Sequence, residues 1–250
     1  MEKSDYIFGL RAIIEAIEAG KDIDKILIKT DFSGDLAREL LGKAKAYGIL
    51  VKRVPQEKLN RITMKNHQGA IAILAAVPYH HLDNIIPLLY EEGKNPLMVG
   101  LDGVTDIRNF GAIARTACCA GVDAIVIPSH NSVSITADAI KTSAGALFHI
   151  PVCREKSTLD AVKQLKENGY QIVAATEKGA QNYTEIDFTV PTAIIMGAEE
   201  TGISEEVLRH ADALAAIPII GEISSLNVSV AAGIMIYEAV RQRNMGKSLE

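Results

Sequence analysis

The sequence predicts an α/β fold in which a small N-terminal α/β domain precedes a larger domain with an open parallel sheet. Apolar runs alternate with segments of helical periodicity along most of the 250 residues, a pattern typical of α/β proteins. The net charge also changes along the chain, from +3 in residues 1–80 to −8 in residues 81–250. With 48% hydrophobic and 23% charged residues, the composition indicates a globular protein with a sizeable core.

The first domain is predicted at residues 1–77. Apolar side chains recur at helical spacing from Leu10 to Ile17, and Gly20 follows as a stop signal. The remaining elements are a strand at 25–29, a helix at about 36–47 and strands at 49–54 and 69–77. The basic residues of one short segment are Lys52, Arg53, Lys58, Arg61 and Lys65. This segment is either a solvated face or a patch for a partner rich in phosphate.

Residues 78–95 are predicted to form a linker with one short helix, because they are polar and contain Pro78 and Pro87. The second domain is predicted at residues 96–246. Its buried strands are expected at 97–101, 124–127, 171–175, 193–196 and 214–217. Ligands of open parallel sheets bind at the carboxyl ends of the strands, so a functional site is expected in the loops that follow them.

The sequence favours a cytoplasmic protein with no membrane segment and no metal. Its N-terminus lacks a basic stretch followed by an apolar one, and its apolar runs are shorter than the roughly 18 residues of a membrane helix. The cysteines are Cys118, Cys119 and Cys153, which lack the spacing of zinc ligands. They are expected to be small core residues. The adjacent Glu199 and Glu200 suit hydrogen bonds to backbone or arginine better than an ion.

The loop at residues 101–117 places a polar pair on one helix. Asn109 occupies a predicted N-cap position, and Gly121 a predicted C-cap position. Arg115 follows six residues after Asn109, about 9 Å along the helix axis. Either the two side chains face one polar site, or Asn109 merely caps the helix and Arg115 is a surface charge.

The loop at residues 196–204 is rich in glycine. Gly197 and Gly202 lie on either side of Glu199. Two glycines at the end of a strand permit close approach of the backbone to a ligand. Taken by itself, this pattern is a weak signal, because it is not the glycine fingerprint of dinucleotide-binding proteins.

A third loop, within residues 217–243, precedes a long helix. The helix is expected to be apolar on nearly every side from Leu226 to Val240, which suits burial on both faces. Ser224 or Ser225 is its predicted cap. Ser225 and Asn227 also offer polar atoms to the site at the strand ends, so capping and a functional role are both open.

In order and spacing, these three stretches resemble the signature motifs of the SpoU/TrmH family of RNA ribose methyltransferases, part of the SPOUT class. The matching residues are Asn109, Gly111 and Arg115, then Gly197, Glu199 and Gly202, then Ile217-Pro218 with Ser225-Leu226-Asn227-Val228-Ser229. A nucleotide-dependent Rossmann enzyme acting on a small molecule also fits the alternating strands. It lacks the glycine fingerprint and leaves the basic domain without a use.

The N-terminal domain resembles the RNA-binding domain, similar to a ribosomal protein, of the family's 23S rRNA guanosine 2′-O-methyltransferases. The similarity lies in YIFGLRAIIEAI near the N-terminus and in NHQGAIA at 66–72. The predicted RNA-binding residues are Lys52, Arg53, Arg61, Lys65 and His67. For His67, an RNA contact or a role in a turn is favoured over catalysis.

The resemblance implies a C-terminal trefoil-knotted, Rossmann-like parallel sheet that binds S-adenosylmethionine, although knots are almost absent from protein folds. The implied cofactor-binding residues are Gly197, Ile217, Leu226, Thr176 and Met196. The implied catalytic residues are Arg115, Asn109, Glu199, Ser225 and Asn227. The implied assembly is a homodimer paired through helices that include the C-terminal one, and the implied substrate is RNA, most specifically a guanosine of 23S rRNA.

Family precedent gives Arg115 the task of promoting proton loss from a ribose 2′-hydroxyl. Because arginine is effectively always protonated, we expect Arg115 to act as a cation that stabilises the developing alkoxide or binds the adjacent phosphate. Two alternatives stay open. The target is a tRNA or another rRNA site, or the protein is a knotted RNA-binding protein that has lost catalysis.

Overall fold

The computed structural model describes residues 6–177 and 181–245. The chain forms two compact units, the first of residues 1–78 and 134–136, the second of residues 79–133 and 137–250. The predicted end of the second domain, residue 246, lies outside the described residues. Residues 79–95, predicted as a linker with one short helix, are grouped with the second unit, and the short helix is present at Leu82–Glu91.

In the described part of the first unit, four strands form one sheet with helices on both faces. Its elements are β1 (Tyr6–Phe8), α1 (Leu10–Glu18), β2 (Ile23–Lys29), α2 (Asp35–Ala46), β3 (Leu50–Val54), α3 (Gln56–Ile62) and β4 (Ala70–Leu74). The strand order is β1-β4-β2-β3. β2 and β3 are parallel, whereas β4 is antiparallel to both of its neighbours.

The two faces of this sheet carry separate apolar clusters. On one face, buried side chains of α1 and α2 such as Ile13 and Leu40 pack against Ile26 of β2. On the other face, Leu59 of α3 packs against Ile71 of β4. Side chains alternate between the two faces along each strand, so both faces of the sheet are buried at least in part.

The predicted helices at 10–17 and 36–47 are confirmed by α1 and α2. The predicted strand at 69–77 is shorter and ends at Leu74. β1 and α3 are not predicted from the sequence. β1 has three residues, too few to show an alternating pattern. α3 buries a single residue, Leu59, so its sequence lacks an apolar stripe.

The second unit contains a parallel sheet with helices packed against it. Its elements are β5 (Tyr79–His80), α4 (Leu82–Glu91), β6 (Leu97–Asp102), α5 (Ile107–Cys119), β7 (Ala124–Pro128), α6 (Ala137–Thr142), β8 (Val152–Glu155), α7 (Thr158–Glu167), β9 (Gln171–Ala175), β10 (Gln181–Asn182), β11 (Thr192–Gly197), α8 (Glu205–Leu208), β12 (Ala213–Ala216) and α9 (Val228–Arg243). Short 3-10 helices span Ala146–Phe148 and Tyr183–Glu185.

Among the described residues, the strand order of this sheet is β10-β12-β9-β11-β6-β7-β8-β5, and every neighbouring pair is parallel. The five strands predicted from apolar runs correspond to β6, β7, β9, β11 and β12. The predicted α/β class with a parallel sheet is therefore confirmed, and the trefoil knot stays a prediction. The sequence analysis misses β8, because its second half, Arg154 and Glu155, is charged.

The predicted linker instead contributes to the core of the second unit. Leu82, Ile86 and Leu89 of α4 are buried in the same apolar cluster as residues of α7. Pro87 and the polar residues that suggest a linker lie on the exposed side of the same helix. The spacing of the buried residues was the better signal, because it follows the helical period.

The last helix, α9, is buried on one side only. Ala232 and Met235 are fully buried, whereas Val230 and Tyr237 are each 51% exposed. The helix predicted to be apolar on nearly every side is therefore only partly covered within a single chain. No helix in residues 6–177 and 181–245 is long and apolar enough to cross a membrane.

The C-terminal end of α9 is fastened by two long polar side chains. Gln242 donates from Nε2 to the Ile186 carbonyl at 2.9 Å and accepts from the Phe188 amide at 2.8 Å. The guanidinium of Arg243 donates to four carbonyl oxygens, those of Phe188, Asn95, Pro96 and Val190, at 2.5–3.1 Å. These bonds join the helix to the chain just before β6 and to the chain that leads into β11.

Candidate active site

A cavity of about 780 Å³ opens at the carboxyl ends of three neighbouring strands, β9, β11 and β12. The residues predicted to bind a cofactor all line it, namely Gly197, Ile217, Leu226, Thr176 and Met196. Of the predicted catalytic residues, Glu199, Ser225 and Asn227 line it as well. Its size falls within the range of roughly 300–1,000 Å³ found for small-molecule sites.

The side chain of Asn227 joins the three sequence motifs at the edge of this cavity. Its Nδ2 donates to Asn109 Oδ1 at 3.0 Å and to Glu199 Oε1 at 2.5 Å. Its Oδ1 accepts from the backbone amide of Ser229 at 2.9 Å and from the Ser229 hydroxyl at 2.5 Å. One amide group therefore fixes the relative positions of residues from α5, the loop after β11 and α9.

The N-caps of α5 and α9 differ from those predicted. Asp106, not Asn109, is the N-cap of α5, and its carboxylate accepts from the amides of Arg108 and Asn109. Asn227, not Ser224 or Ser225, is the N-cap of α9. Asn109 is thus free of capping and its side chain turns to Asn227. Asp106 was missed although Asp is as good an N-cap as Asn.

The glycines of residues 196–204 bring the two ends of their own loop together. A Cβ on Gly197 would lie 2.3 Å from the carbonyl carbon of Gly202, so no larger residue fits there. The amide of Gly202, whose φ is +67°, donates to the Ala198 carbonyl at 2.8 Å. The backbone was expected to approach a ligand closely here; instead, Gly197 and Gly202 approach each other. The tight turn between them places Glu199 at the cavity.

Arg115 is not brought into this network within one chain. It is exposed on α5 and does not line the cavity. With 3.6 residues per turn, Asn109 and Arg115 leave the helix about 120° apart. The expectation that both side chains face one site is not met by the arrangement of a single chain.

The predicted RNA-binding residues of the first unit divide into two kinds. Lys52, Arg53, Arg61 and Lys65 are exposed. His67 is buried, with 7% of its surface exposed. Its Nδ1 accepts from the Gly69 amide at 3.0 Å, so its Nε2 carries the proton that is donated to Asn60 Oδ1 at 2.9 Å. His67 therefore organises a turn, one of the two roles predicted for it, and its contact with RNA stays a prediction.

The three cysteines differ in how far they are buried. Cys153 is buried, as predicted, and burial raises the pKa of its thiol to about 12. Cys119 is exposed and Cys118 partly so, which corrects the expectation of three core cysteines. In residues 6–177 and 181–245 no group of three or more His, Cys, Asp or Glu side chains is arranged to hold a metal ion.

Comparison with protein families assigns both units. Residues 96–237 match the SpoU rRNA Methylase family. The chain belongs to this family. Residues 6–80 match a second family, described as the substrate-binding domain of RNA 2′-O ribose methyltransferases. The predicted SpoU/TrmH membership is confirmed, and the protein is an RNA methyltransferase.

Similar proteins cover nearly the whole of this SpoU family chain. A Staphylococcus saprophyticus protein named as a TrmH family tRNA/rRNA methyltransferase is 37% identical, over 95% of this chain and 96% of its own. An AdoMet-bound rRNA methyltransferase from Sinorhizobium meliloti has a TM-score of 0.61 and 31% identity, covering 94% of this chain and 86% of its own. The SpoU methyltransferase AviRb from Streptomyces viridochromogenes, in complex with AdoMet, has a TM-score of 0.61 and 28% identity, covering 96% and 91%. Both structures agree with the predicted cofactor.

Proposed function

We propose that this protein transfers a methyl group from S-adenosylmethionine to a ribose 2′-hydroxyl of structured RNA, at a guanosine of 23S rRNA, as a cytoplasmic homodimer. The observation that carries the proposal is the Asn227 side chain, which hydrogen-bonds both Asn109 and Glu199 at the edge of the cavity. Polar groups from three motifs meet there, beside a pocket large enough for a nucleoside cofactor.

The residues of the cavity fit S-adenosylmethionine. Met196, Ile217 and Leu226 give it apolar walls suited to a flat aromatic ring. Thr176, just after β9, and the backbone of Gly197 line the cavity at the strand ends and supply polar atoms there. When bound, the cofactor supplies a methyl group on a positively charged sulfur. Glu199 lines the same cavity and orients the acceptor ribose beside it by hydrogen bonds, and Asn227 holds Glu199 in place.

Methyl transfer forms a carbon–oxygen bond at the 2′-oxygen and breaks the carbon–sulfur bond, leaving a neutral thioether. The hydroxyl proton passes to a phosphate oxygen of the RNA or to water. Arg115 remains protonated and serves as the cation that stabilises the developing alkoxide or holds the neighbouring phosphate. Catalysis rests on alignment of the oxygen with the methyl group and on this charge.

The exposed face of α9 supports the homodimer. Val230 and Tyr237 lie seven residues apart, on the same side of the helix, and each is 51% exposed. α9 packs on α5, where an added Cβ at Gly233 would lie 3.7 Å from Thr116 Cγ2. A second copy placed against this face covers the apolar side chains and lies close to the exposed Arg115. In such a dimer, each cofactor cavity is accessible to the Arg115 side chains of both chains.

The first unit supports an RNA substrate. It carries a net charge of +3 over residues 1–80, and four of its cations, Lys52, Arg53, Arg61 and Lys65, are exposed. Such cations contact phosphates and contribute affinity without reading sequence. The match of residues 6–80 to a domain described as substrate-binding in 2′-O ribose methyltransferases favours the ribose over a base as the methylated group.

The test is transfer of a tritiated methyl group from S-adenosylmethionine to RNA from a host that lacks this gene, followed by nuclease mapping. The variants are Arg115→Ala and Arg108→Ala, because both arginines are exposed on α5. We expect one labelled 2′-O-methylguanosine in large-subunit rRNA, loss of the label in Arg115→Ala, and wild-type labelling in Arg108→Ala. Label in tRNA would overturn the rRNA target, and label on a base would overturn the ribose.

A further inference from the structure

Asp102 ties the strand that leads into the first motif to the loop that carries the second. It is the last residue of β6 and lies in register with Gly197, the last residue of the neighbouring β11. Its Oδ2 accepts a hydrogen bond from the Ser204 amide at 2.8 Å. A carboxylate that accepts from a backbone amide forms a charge-assisted bond, stronger than one between neutral groups.

The loop between Gly197 and Ser204 is anchored at both ends. At its start, Gly197 is the last residue of β11 and is held in the sheet by its pairing with Asp102 of β6. Its middle is closed by the hydrogen bond from the Gly202 amide to the Ala198 carbonyl. At its end, the Asp102 carboxylate holds Ser204. Glu199 sits within this closed loop, so its position depends on these anchors.

The network at the cavity tolerates little displacement of that loop. Asn227 Nδ2 donates to Asn109 at 3.0 Å and to Glu199 at 2.5 Å, with one amide group serving both. A hydrogen bond weakens steeply beyond about 3.2 Å. Movement of the Glu199 loop by about 1 Å away from α5 therefore breaks one of the two bonds.

We infer that Asp102 is a positioning residue for methyl transfer, and this inference rests on the proposed function. Through its bond to Ser204, Asp102 holds the Glu199 loop close enough to Asn109 for the Asn227 side chain to hydrogen-bond both residues. It does not line the cofactor cavity and acts through the backbone of Ser204. Loss of its carboxylate lets the loop relax, and both cofactor affinity and the transfer rate fall.

A matched control lies at the opposite end of the same strand. Asp123 Oδ2 accepts from the amide of Leu97, the first residue of β6, at 2.9 Å. Asp123→Ala thus removes the same kind of bond from the same strand, together with an ion pair to Lys94 at 3.4 Å, but leaves the Glu199 loop anchored. A general loss of stability affects both variants, whereas a loss of positioning affects Asp102→Ala alone.

The experiment compares Asp102→Ala, Asp102→Asn and Asp123→Ala in the full chain. Calorimetry measures the S-adenosylmethionine Kd, single-turnover labelling of rRNA and tRNA from a host lacking the gene measures transfer, and hydrogen exchange measures the Ser204 amide. We expect Asp102→Ala to lower the transfer rate by about 30- to 100-fold and to speed exchange at Ser204 by about 10-fold. Asp123→Ala changes neither by more than about 2-fold.

Asparagine keeps an oxygen that accepts from Ser204, so Asp102→Asn recovers the rate to within about 5-fold of the wild type. The inference is overturned if Asp102→Ala and Asp123→Ala lose the same factor, or if Asp102→Asn is as slow as Asp102→Ala. A wild-type protein that labels no RNA would contradict the proposed function instead. Calorimetry and amide exchange would still decide the role of Asp102, because neither needs RNA.

Discussion

Asn227 uses both ends of its side-chain amide, and the two ends do different work. The oxygen accepts from the Ser229 amide and caps α9. The nitrogen donates to Asn109 and Glu199. An aspartate at this position keeps the cap and loses the donor, so substitutions at residue 227 separate stability from activity.

We predict that Asn227→Asp lowers the single-turnover transfer rate by about 100-fold and leaves the melting temperature close to that of the wild type. A carboxylate there cannot donate and repels the Glu199 carboxylate. Asn227→Ala, the companion variant, also loses the cap, at a cost of about 1 kcal/mol. Rates measured together with thermal unfolding check this, and a wild-type rate in Asn227→Asp would contradict it.

His67 is buried and holds a turn of the first unit. We predict that His67→Ala lowers the free energy of unfolding by about 1–3 kcal/mol, because it removes the acceptor for the buried Gly69 amide. RNA affinity measured below the unfolding transition should stay within about 2-fold. Urea unfolding and a filter-binding titration test both parts. A large loss of affinity without a loss of stability would restore the RNA-contact hypothesis.

The sequence named most of the residues that meet at the cavity but not the bonds between them. Asn109, Glu199 and Asn227 were singled out by the motifs that they share with the family. In the structure, Asp106 caps α5 and Asn109 contacts Asn227. Which of the two residues caps the helix depends on where the chain leaves β6. Asp and Asn are equally good caps, so local preference could not decide between them. Asp102 carried no signal of its own.

At the scale of elements, the C-terminal turn of α9 fastens this helix to the rest of the second unit. Arg243 donates hydrogen bonds to the carbonyl oxygens of Asn95, Pro96 and Phe188. Burial lowers the pKa of the Arg243 guanidinium. Arginine nevertheless stays charged, and its planar group reaches several acceptors at once, which lysine cannot do.

We therefore predict that Arg243→Lys lowers the free energy of unfolding by about 3 kcal/mol, since most of these carbonyls lose their donor. Arg209→Lys is the control, because Arg209 is exposed, and should change stability by less than about 0.5 kcal/mol. Urea unfolding followed by circular dichroism measures both. Equal stability of the two variants would show that the Arg243 bonds contribute little.

Elements were predictable where burial imposed a period on the sequence. α1, α2 and the central strands carry long apolar patterns and were found. β1 and β5 have three and two residues, and such short strands owe their existence to a neighbour in the sheet. A linker was predicted because Pro87 was given more weight than the helical spacing of the apolar residues that α4 buries. For β1 and β5, tertiary packing, which a local pattern does not contain, decided the outcome, whereas for α4 the helical spacing of the apolar residues was present in the sequence.

At the scale of the whole molecule, charge is divided between the two units. Residues 1–80 are basic and residues 81–250 acidic. The proposed function assigns RNA binding to exposed cations of the first unit and methyl transfer to the second. Affinity and catalysis should then respond to different substitutions.

We predict that the double variant Lys52→Ala, Lys65→Ala weakens RNA binding and flattens the dependence of log affinity on log salt by about 1.5, for two lost phosphate contacts. The transfer rate at saturating RNA should stay near that of the wild type. The control, Lys156→Ala with Lys163→Ala, removes the same charge from exposed sites of the second unit. An equal loss of affinity in the control would mean that net charge alone is responsible.

The position of Asn227 and α9 late in the chain has a consequence for synthesis on the ribosome. Proteins emerge from the N-terminus, and early domains fold while later ones are still being made. The basic unit is therefore able to hold RNA before the residues that complete the network with Asn109 and Glu199 exist. If the first unit binds RNA as proposed, a nascent chain would pass through a stage in which it binds its substrate without modifying it, and modification would begin only when α9 docks.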